Sequence, residues 1–420
     1  MKHWDCVLGE PRVVFDSKRT YRELGWGPYQ FTQLRRTTAG EVYYSWELGN
    51  DKIEDYVELE DHSSAISPDG EHWTVPAPAS AIPIYEQARF SDGRFFGGFA
   101  PEEQGIRASD WIGKYEDQKI PVRGKSVYGE LFGELYYADG VKEFPMECTT
   151  VKVDPSTGEE ERIRSRIIWK HAPMLVYSTG KGERFAATYG RNFAIQSRSV
   201  ISKNGSLFLC MYFSGVDPVT GEITKYSHTD GAFVFRSDDD GATWVAQSRV
   251  EVTDEVVDHI QKTHADHIKD FEGFSEPRMG FLPDGGLAMI LRTGSKMPSY
   301  IVYSYDEGKS WSKPKLFDRL GVFPSILTLG CGVTVASYGR LGVFLRMTDD
   351  PSAKEWDDPM TIELTVDQTD KKFRSCSYTG LLPLSDTSFL LSWSDFHYPS
   401  KDGRQTKTLL VRKVTLIPKE

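Results

Sequence analysis

Ser237-Asp238-Asp239-Asp240-Gly241-Ala242-Thr243-Trp244 follows an alternating run, Ala232-Phe233-Val234-Phe235-Arg236. It reads as strand, tight turn and second strand, in the pattern Ser-x-Asp-x-Gly-x-Thr-Trp. Asp238 and Asp240 are read as acceptors for nearby backbone N–H groups, Gly241 as the permissive backbone position, and Trp244 as the ring that packs back over the turn. The same grammar returns at Ser304-Tyr305-Asp306-Glu307-Gly308-Lys309-Ser310-Trp311. A worn copy stands at Ser67-Pro68-Asp69-Gly70-Glu71-His72-Trp73, and Asp349 to Trp356 is a more degenerate one.

Between these turns the chain repeats a second unit, a hairpin with aromatic or aliphatic arms. The first spans Phe31 to Trp46 and turns at Ala39-Gly40. Five more follow over 88–99, 199–209, 280–291, 326–335 and 381–391. Each is read as the inner pair of a four-stranded sheet, and radial stacking of such sheets gives an all-β, six-bladed β-propeller of antiparallel blades. The last strand, Thr408 to Val414, is expected beside Val13–Phe15, joining the two ends of the chain. Spacing breaks only over 101–190, which is read as outer strands of the second blade plus an insertion, with a seventh blade as the alternative. The whole of 1–420 is taken as one domain. One helix is expected, near 253–269, with Val256, Val257 and Ile260 on one face.

The turn pattern resembles the Asp-box, or BNR repeat, of the sialidase superfamily, and with the blade rhythm this resemblance covers most of the chain. It implies a propeller glycoside hydrolase whose functional groups gather at one mouth. Glu276, in Phe274-Ser275-Glu276-Pro277, and Arg292, in Leu291-Arg292-Thr293, open and close one inner hairpin. They match the superfamily's catalytic Glu and one of its triad Arg residues. Tyr378, in Ser375-Cys376-Ser377-Tyr378-Thr379-Gly380, matches the segment that carries its tyrosine nucleophile, a phenol that needs a nearby base. Arg340 ends the next-to-last hairpin and is a second candidate for gripping a carboxylate.

The resemblance departs at the first blade, where Tyr29-Gln30-Phe31-Thr32 puts Gln30 at the position of a triad Arg. Loss of that Arg predicts weakened sialate binding; Arg35 or Arg36 on the same strand, or Arg191 or Arg198 on the third blade, would have to compensate. The general acid is sought in the acidic stretch 51–62, among Asp51, Asp55, Asp61 and His62, with an acidic surface loop as the bland alternative. Trp26, Tyr29 and Phe323 are candidates for stacking on a sugar ring. His62, or His397, paired with a Tyr would instead suit β-elimination from a uronic acid. That makes a polysaccharide lyase the second reading; a non-catalytic carbohydrate-binding propeller is the third.

Composition narrows the partners. With 50 basic and 61 acidic residues the net charge is −11, so no basic stripe is available for nucleic acid. Five dispersed cysteines lack metal or redox spacing and read as thiols in a reducing compartment. His259, His264 and His267 form no known ligand set. No apolar leader or membrane-length run is seen, so a cytoplasmic protein is expected, with an anionic carbohydrate as its substrate and no cofactor.

Overall fold

The turn that opens the argument does form, but a different carboxylate makes it. In the computed structural model Ser237 Oγ donates to Asp239 Oδ1 at 2.9 Å, and the N–H of Thr243 donates to the same oxygen at 2.8 Å. The N–H of Gly241 reaches Ser237 Oγ at 2.9 Å, and Gly241 takes φ +83°, where a side chain is costly. Asp238 instead accepts from Ser206 and Arg236, and Asp240 from the N–H and Oγ of Ser91. The expectation that Asp238 and Asp240 cap the turn is therefore corrected to Asp239. The reason is geometric: only the third residue of the turn can aim its carboxylate back at the N–H groups that follow. Trp244 is fully buried and its Nε1 donates to Thr150 Oγ1 at 3.2 Å.

The other copies follow the same rule. Asp69 Oδ1 accepts from the N–H of Glu71 and His72 at 2.8 and 2.9 Å. Asp350 accepts from the N–H of Ser352, Lys354 and Glu355, with Thr348 in the serine's place. The degenerate copy is thus a complete turn, with Thr for Ser and Ala353 at φ +49° for Gly.

The structure describes residues 1–25, 27–49, 62–100, 105–107, 119–121, 135–138, 147–168, 173–178, 184–187, 199–214, 230–364 and 378–420. It is almost wholly β and divides into two compact units. The first comprises 1–83, 278–307 and 315–420, and the second 84–277 and 308–314.

In the first unit the strands run as antiparallel meanders. Gln30–Thr37, Val42–Glu47 and Ser64–Ser67 pair in sequence. Ser275–Phe281, of which Arg278–Phe281 belong to this unit, forms a four-stranded sheet with Leu287–Arg292, Ser299–Ser304 and Lys315–Asp318; Val322–Thr328, Thr334–Gly339, Val343–Thr348 and Met360–Glu363 form another. Gly380–Ser385, Ser388–Pro399 and Gln405–Pro418 form the last meander. Both N-terminal strands, Trp4–Leu8 and Arg12–Asp16, pair with Gln405–Pro418, placing Val13 opposite Leu410. The core of these sheets is aliphatic and aromatic: Tyr44, Leu390 and Leu409 in one cluster, Leu345, Trp393 and Leu410 in another.

In the second unit two four-strand meanders, Pro83–Arg89 to Glu160–Ile168 and Ser199–Lys203 to Thr243–Val250, meet along a parallel contact that pairs Ile167 with Trp244. Phe90, Phe96, Phe233, Phe235 and Trp244 fill their core. The excess over 101–190 is resolved in part. Glu147–Val153 and Glu160–Ile168 complete the first of these meanders, turning at Asp154-Pro155-Ser156-Thr157-Gly158. The short strands Gly105–Arg107, Lys119–Pro121, Leu135–Ala138, Pro173–Ser178 and Arg184–Ala187 make a separate five-stranded sheet, whose order is not sequential. The expected helix runs from Asp254 to Thr263, capped by Thr253, with Val256 and Ile260 buried; a 3₁₀ turn over Ala265–Asp270 follows.

A buried cation ties this unit together. Lys152 Nζ lies 2.9 Å from Asp92 Oδ2 and 3.4 Å from Asp240 Oδ2, over the ring of Phe90. The Arg94 hydrogen bond, then Lys152, holds Asp92 well below the usual carboxylate range. Burial pushes Asp240 up, but hydrogen bonds from Ser91 and the charge of Lys152 outweigh it and leave it lowered. Folded-state values below the unfolded value of about 4 mean that this stabilisation is complete above that pH and fades as pH falls beneath it. Urea unfolding between neutral and acid pH should show the wild type losing stability below about pH 4 more steeply than Asp92→Asn. Parallel curves would show that the network does not titrate.

A second expectation concerns the turn. Asp239→Ala removes a carboxylate that holds two donors and should cost about 1–3 kcal/mol. Asp238→Ala removes an exposed pair worth about 1 kcal/mol or less. Equal losses in denaturant unfolding would contradict the assignment of the turn to Asp239.

Candidate functional site

Three strands begin with an unusual backbone. Phe31, second residue of Gln30–Thr37, has φ +54°, and Phe323, second residue of Val322–Thr328, has φ +46°. Both strands shift register directly afterwards, between Gln30 and Gln33 and between Val322 and Ser325. Glu276, second residue of Ser275–Phe281, has φ +43°. Left-handed conformations in bulky residues cost about 1–3 kcal/mol each and persist where the surroundings over-determine them, which is most often at functional sites.

In the first unit the strained strand starts gather aromatic rings. The ring of Tyr378 lies 4.6 Å from that of Phe31 and 4.3 Å from that of Phe323, centroid to centroid. The backbone around it is pinned: Thr32 Oγ1 donates to the Tyr378 carbonyl at 3.2 Å, and Ser325 Oγ to the Thr379 carbonyl at 3.3 Å. Thr379 Oγ1 shares a 2.8 Å hydrogen bond with Ser337 Oγ. Beneath the rings, Lys407 is fully buried, its Nζ 4.0 Å from the Phe396 centroid, and it donates to the Pro28 carbonyl at 2.7 Å. That bond anchors the segment leading into Phe31.

Two arginines expected at the site come together. Arg292 ends the strand Leu287–Arg292 and is 4% exposed; Arg340 follows the strand Thr334–Gly339 at φ +48° and is 7% exposed. Ser295 Oγ accepts from Arg340 Nη1 at 2.6 Å and from Arg292 Nη2 at 3.3 Å. The guanidinium carbon of Arg340 lies 5.8 Å from the centroid of Tyr378, which is 6% exposed. Two buried like charges thus meet at one hydroxyl, with a phenol beside one of them.

The remaining candidates are distributed as follows. Gln30 is fully buried at the head of its strand. Tyr29 goes into the core, stacked on Phe15 at 5.7 Å. Arg36 holds the carbonyls of Gly40 and Pro383, and Arg35 donates to Gln33. His62 is exposed, and His397 is half-buried against Tyr21 at 5.3 Å. Glu276 is buried in the second unit, where neighbouring Ser275 donates to Glu272. Trp26, Asp51, Asp55, Asp61, Arg191 and Arg198 lie outside the described residues. Sequence reading did not single out Ser295 or Phe31, which the structure brings to Arg292, Arg340 and Tyr378. A signal for the strained positions was present, since Glu276-Pro277 and Phe323-Pro324 occupy the same place in their strands.

No protein-family model matches the chain, and no curated protein does. A solved protein of unknown function from Dyadobacter fermentans shares the fold: 16% identity over 97% of this chain and 99% of that one, TM-score 0.56. An alpha-L-arabinanase of Penicillium chrysogenum, complexed with arabinobiose, aligns over 96% and 98% at 11% identity and TM-score 0.46. A sialidase of Streptococcus pneumoniae aligns over 97% and 70% at 13% identity and TM-score 0.44.

The left-handed φ of Phe323 has a measurable consequence. A β-branched residue tolerates that backbone worst, so Phe323→Val should be less stable than Phe323→Leu by about 1 kcal/mol or more. At Phe344, buried in a strand of ordinary conformation, no such penalty for Val is expected. The same gap at both positions in thermal unfolding would refute the strain.

Proposed function

We propose that this chain is a sialidase-like propeller glycosidase acting on the non-reducing end of an acidic or modified sugar. The observation that carries the reading is the meeting of Arg292 and Arg340 at Ser295, with the guanidinium of Arg340 over the ring of Tyr378. The repeated Asp turns and six sequential hairpins support six blades of the Asp-box type. The two guanidiniums grip an anionic group through charge-assisted hydrogen bonds and hold the anomeric carbon near the phenol. Tyr378 Oη then forms a bond to that carbon as the glycosidic C–O bond breaks. The phenol proton passes to a carboxylate base, for which the resemblance names Glu276. The leaving oxygen takes its proton from an acid in 51–62, Asp61 or His62 among the candidates. Water later cleaves the glycosyl–tyrosine bond and restores the phenol. Gln30 in place of a triad Arg argues for a substrate other than a sialoside. Arg191 and Trp26 are kept as candidates for the proposed binding set on their sequence positions alone; the protein is proposed to be cytoplasmic.

A binding module is the second reading. Its support is the packing of Tyr378 between Phe31 and Phe323, which suits a fixed ring as well as an attacking one.

A panel of fluorogenic α-sialosides, uronides and rhamnosides decides between them. One substrate should turn over, and Tyr378→Phe should reduce its kcat on the order of 10³-fold or more, with Glu276→Gln similarly impaired. Turnover that survives Tyr378→Phe would move the chemistry to His62 or a carboxylate. Silence across the panel, with binding retained, would establish the module.

A further inference from the structure

A cleft of about 220 Å³ opens in the first unit, on residues that the proposed reaction does not use. Its floor is the last strand of the chain. Val411, Lys413 and Thr415 alternate along one face of Gln405–Pro418, and Arg12 and Val7 pair with Val411 and Thr415 on that same face. One wall is a bulge: Leu8 pairs with Val414 and Arg12 with Val411, so Gly9, Glu10 and Pro11 face only Arg412 and Lys413 and the chain arches outward. The N–H of Gly9 donates to the Lys413 carbonyl at 2.9 Å, and the Gly9 carbonyl accepts from Arg412 Nε, which fixes the arch. The other wall is the Asp69 turn, whose carboxylate holds the N–H of Glu71 at 2.8 Å. Glu10, Arg12, Glu71 and Lys413 thus line one space, two charges of each sign, and all four are exposed. Among the described residues none of these four side chains has a hydrogen-bond or ion-pair partner. An anion without a positive group would meet Arg12 and Lys413 but also two carboxylates, and a cation would meet the reverse. A ligand carrying both signs satisfies all four groups, and Val7 and Val411 offer it an apolar surface. The volume is below the about 300–1,000 Å³ of pockets for drug-sized ligands, so the ligand is small.

We propose that this cleft binds a free aliphatic α-amino acid, its carboxylate held by Arg12 and Lys413 and its ammonium by Glu10 and Glu71. The cleft shares no lining residue with the arginine pair at Tyr378, so it stands whether or not a sugar binds there. Methyl NMR titration of the full chain with leucine, N-acetylleucine and leucinamide tests it. The two analogues keep the side chain, and each lacks one of the two charges. Leucine should shift the methyl signals of Val7 and Val411 and bind about tenfold or more tightly than either analogue. Arg12→Gln should weaken leucine and N-acetylleucine but not leucinamide, whereas Glu71→Gln should weaken leucine and leucinamide but not N-acetylleucine. Both side chains are exposed, so neither substitution disturbs the core. Equal binding of the three compounds would reduce the cleft to an apolar surface and overturn the proposal. Leucine that leaves Val7 and Val411 unshifted, or that binds both variants as it binds the wild type, would overturn it as well.

Discussion

A carboxylate that accepts N–H groups from its own turn is the interaction on which this structure depends. Asp69, Asp239 and Asp350 each reverse the chain between strands by satisfying donors that would otherwise face solvent or a packed ring. The hydrogen bonds are short in sequence, so the turn forms without help from distant residues. The tryptophan that follows does the opposite. Trp244 is fully buried and donates to Thr150, a residue far away in the chain, and so converts a local reversal into a fixed sheet.

The site works against this economy. Arg292 and Arg340 are nearly closed to water and bear the same charge, yet a single serine hydroxyl accepts from both. Phe31 and Phe323 occupy left-handed backbone that their side chains disfavour, and they use it to bring their rings onto Tyr378. Such arrangements last because rigid strands carry them: Leu287–Arg292 and Thr334–Gly339 are buried along their full length. Stability is given up at one end of the sheets and recovered in their cores, where Tyr44, Leu345, Trp393 and Leu410 pack.

Fold and activity stand at different distances from these observations. The shared fold with the Dyadobacter protein concerns the path of the chain alone. Chemistry belongs to the side chains that a fold presents, and the same path of the chain can carry different ones.

Much of the architecture was legible in the amino-acid order, because strand alternation and turn chemistry act over a few residues. The six hairpins, the pairing of the first strands with the last, and the helix that begins after Thr253 are all present. Local reading erred where two neighbouring carboxylates differ only in aim, choosing Asp238 and Asp240 over Asp239. The sequence by itself thus determined the strands, their reversals and the residue types that the strand ends carry. Tertiary structure alone decided that Arg292 and Arg340 share Ser295, that Tyr29 enters the core while Phe31 reaches Tyr378, and that Arg278 stacks on Phe323. These contacts join residues from separate strands, and their geometry depends on bulges and left-handed dihedrals that no local propensity favours.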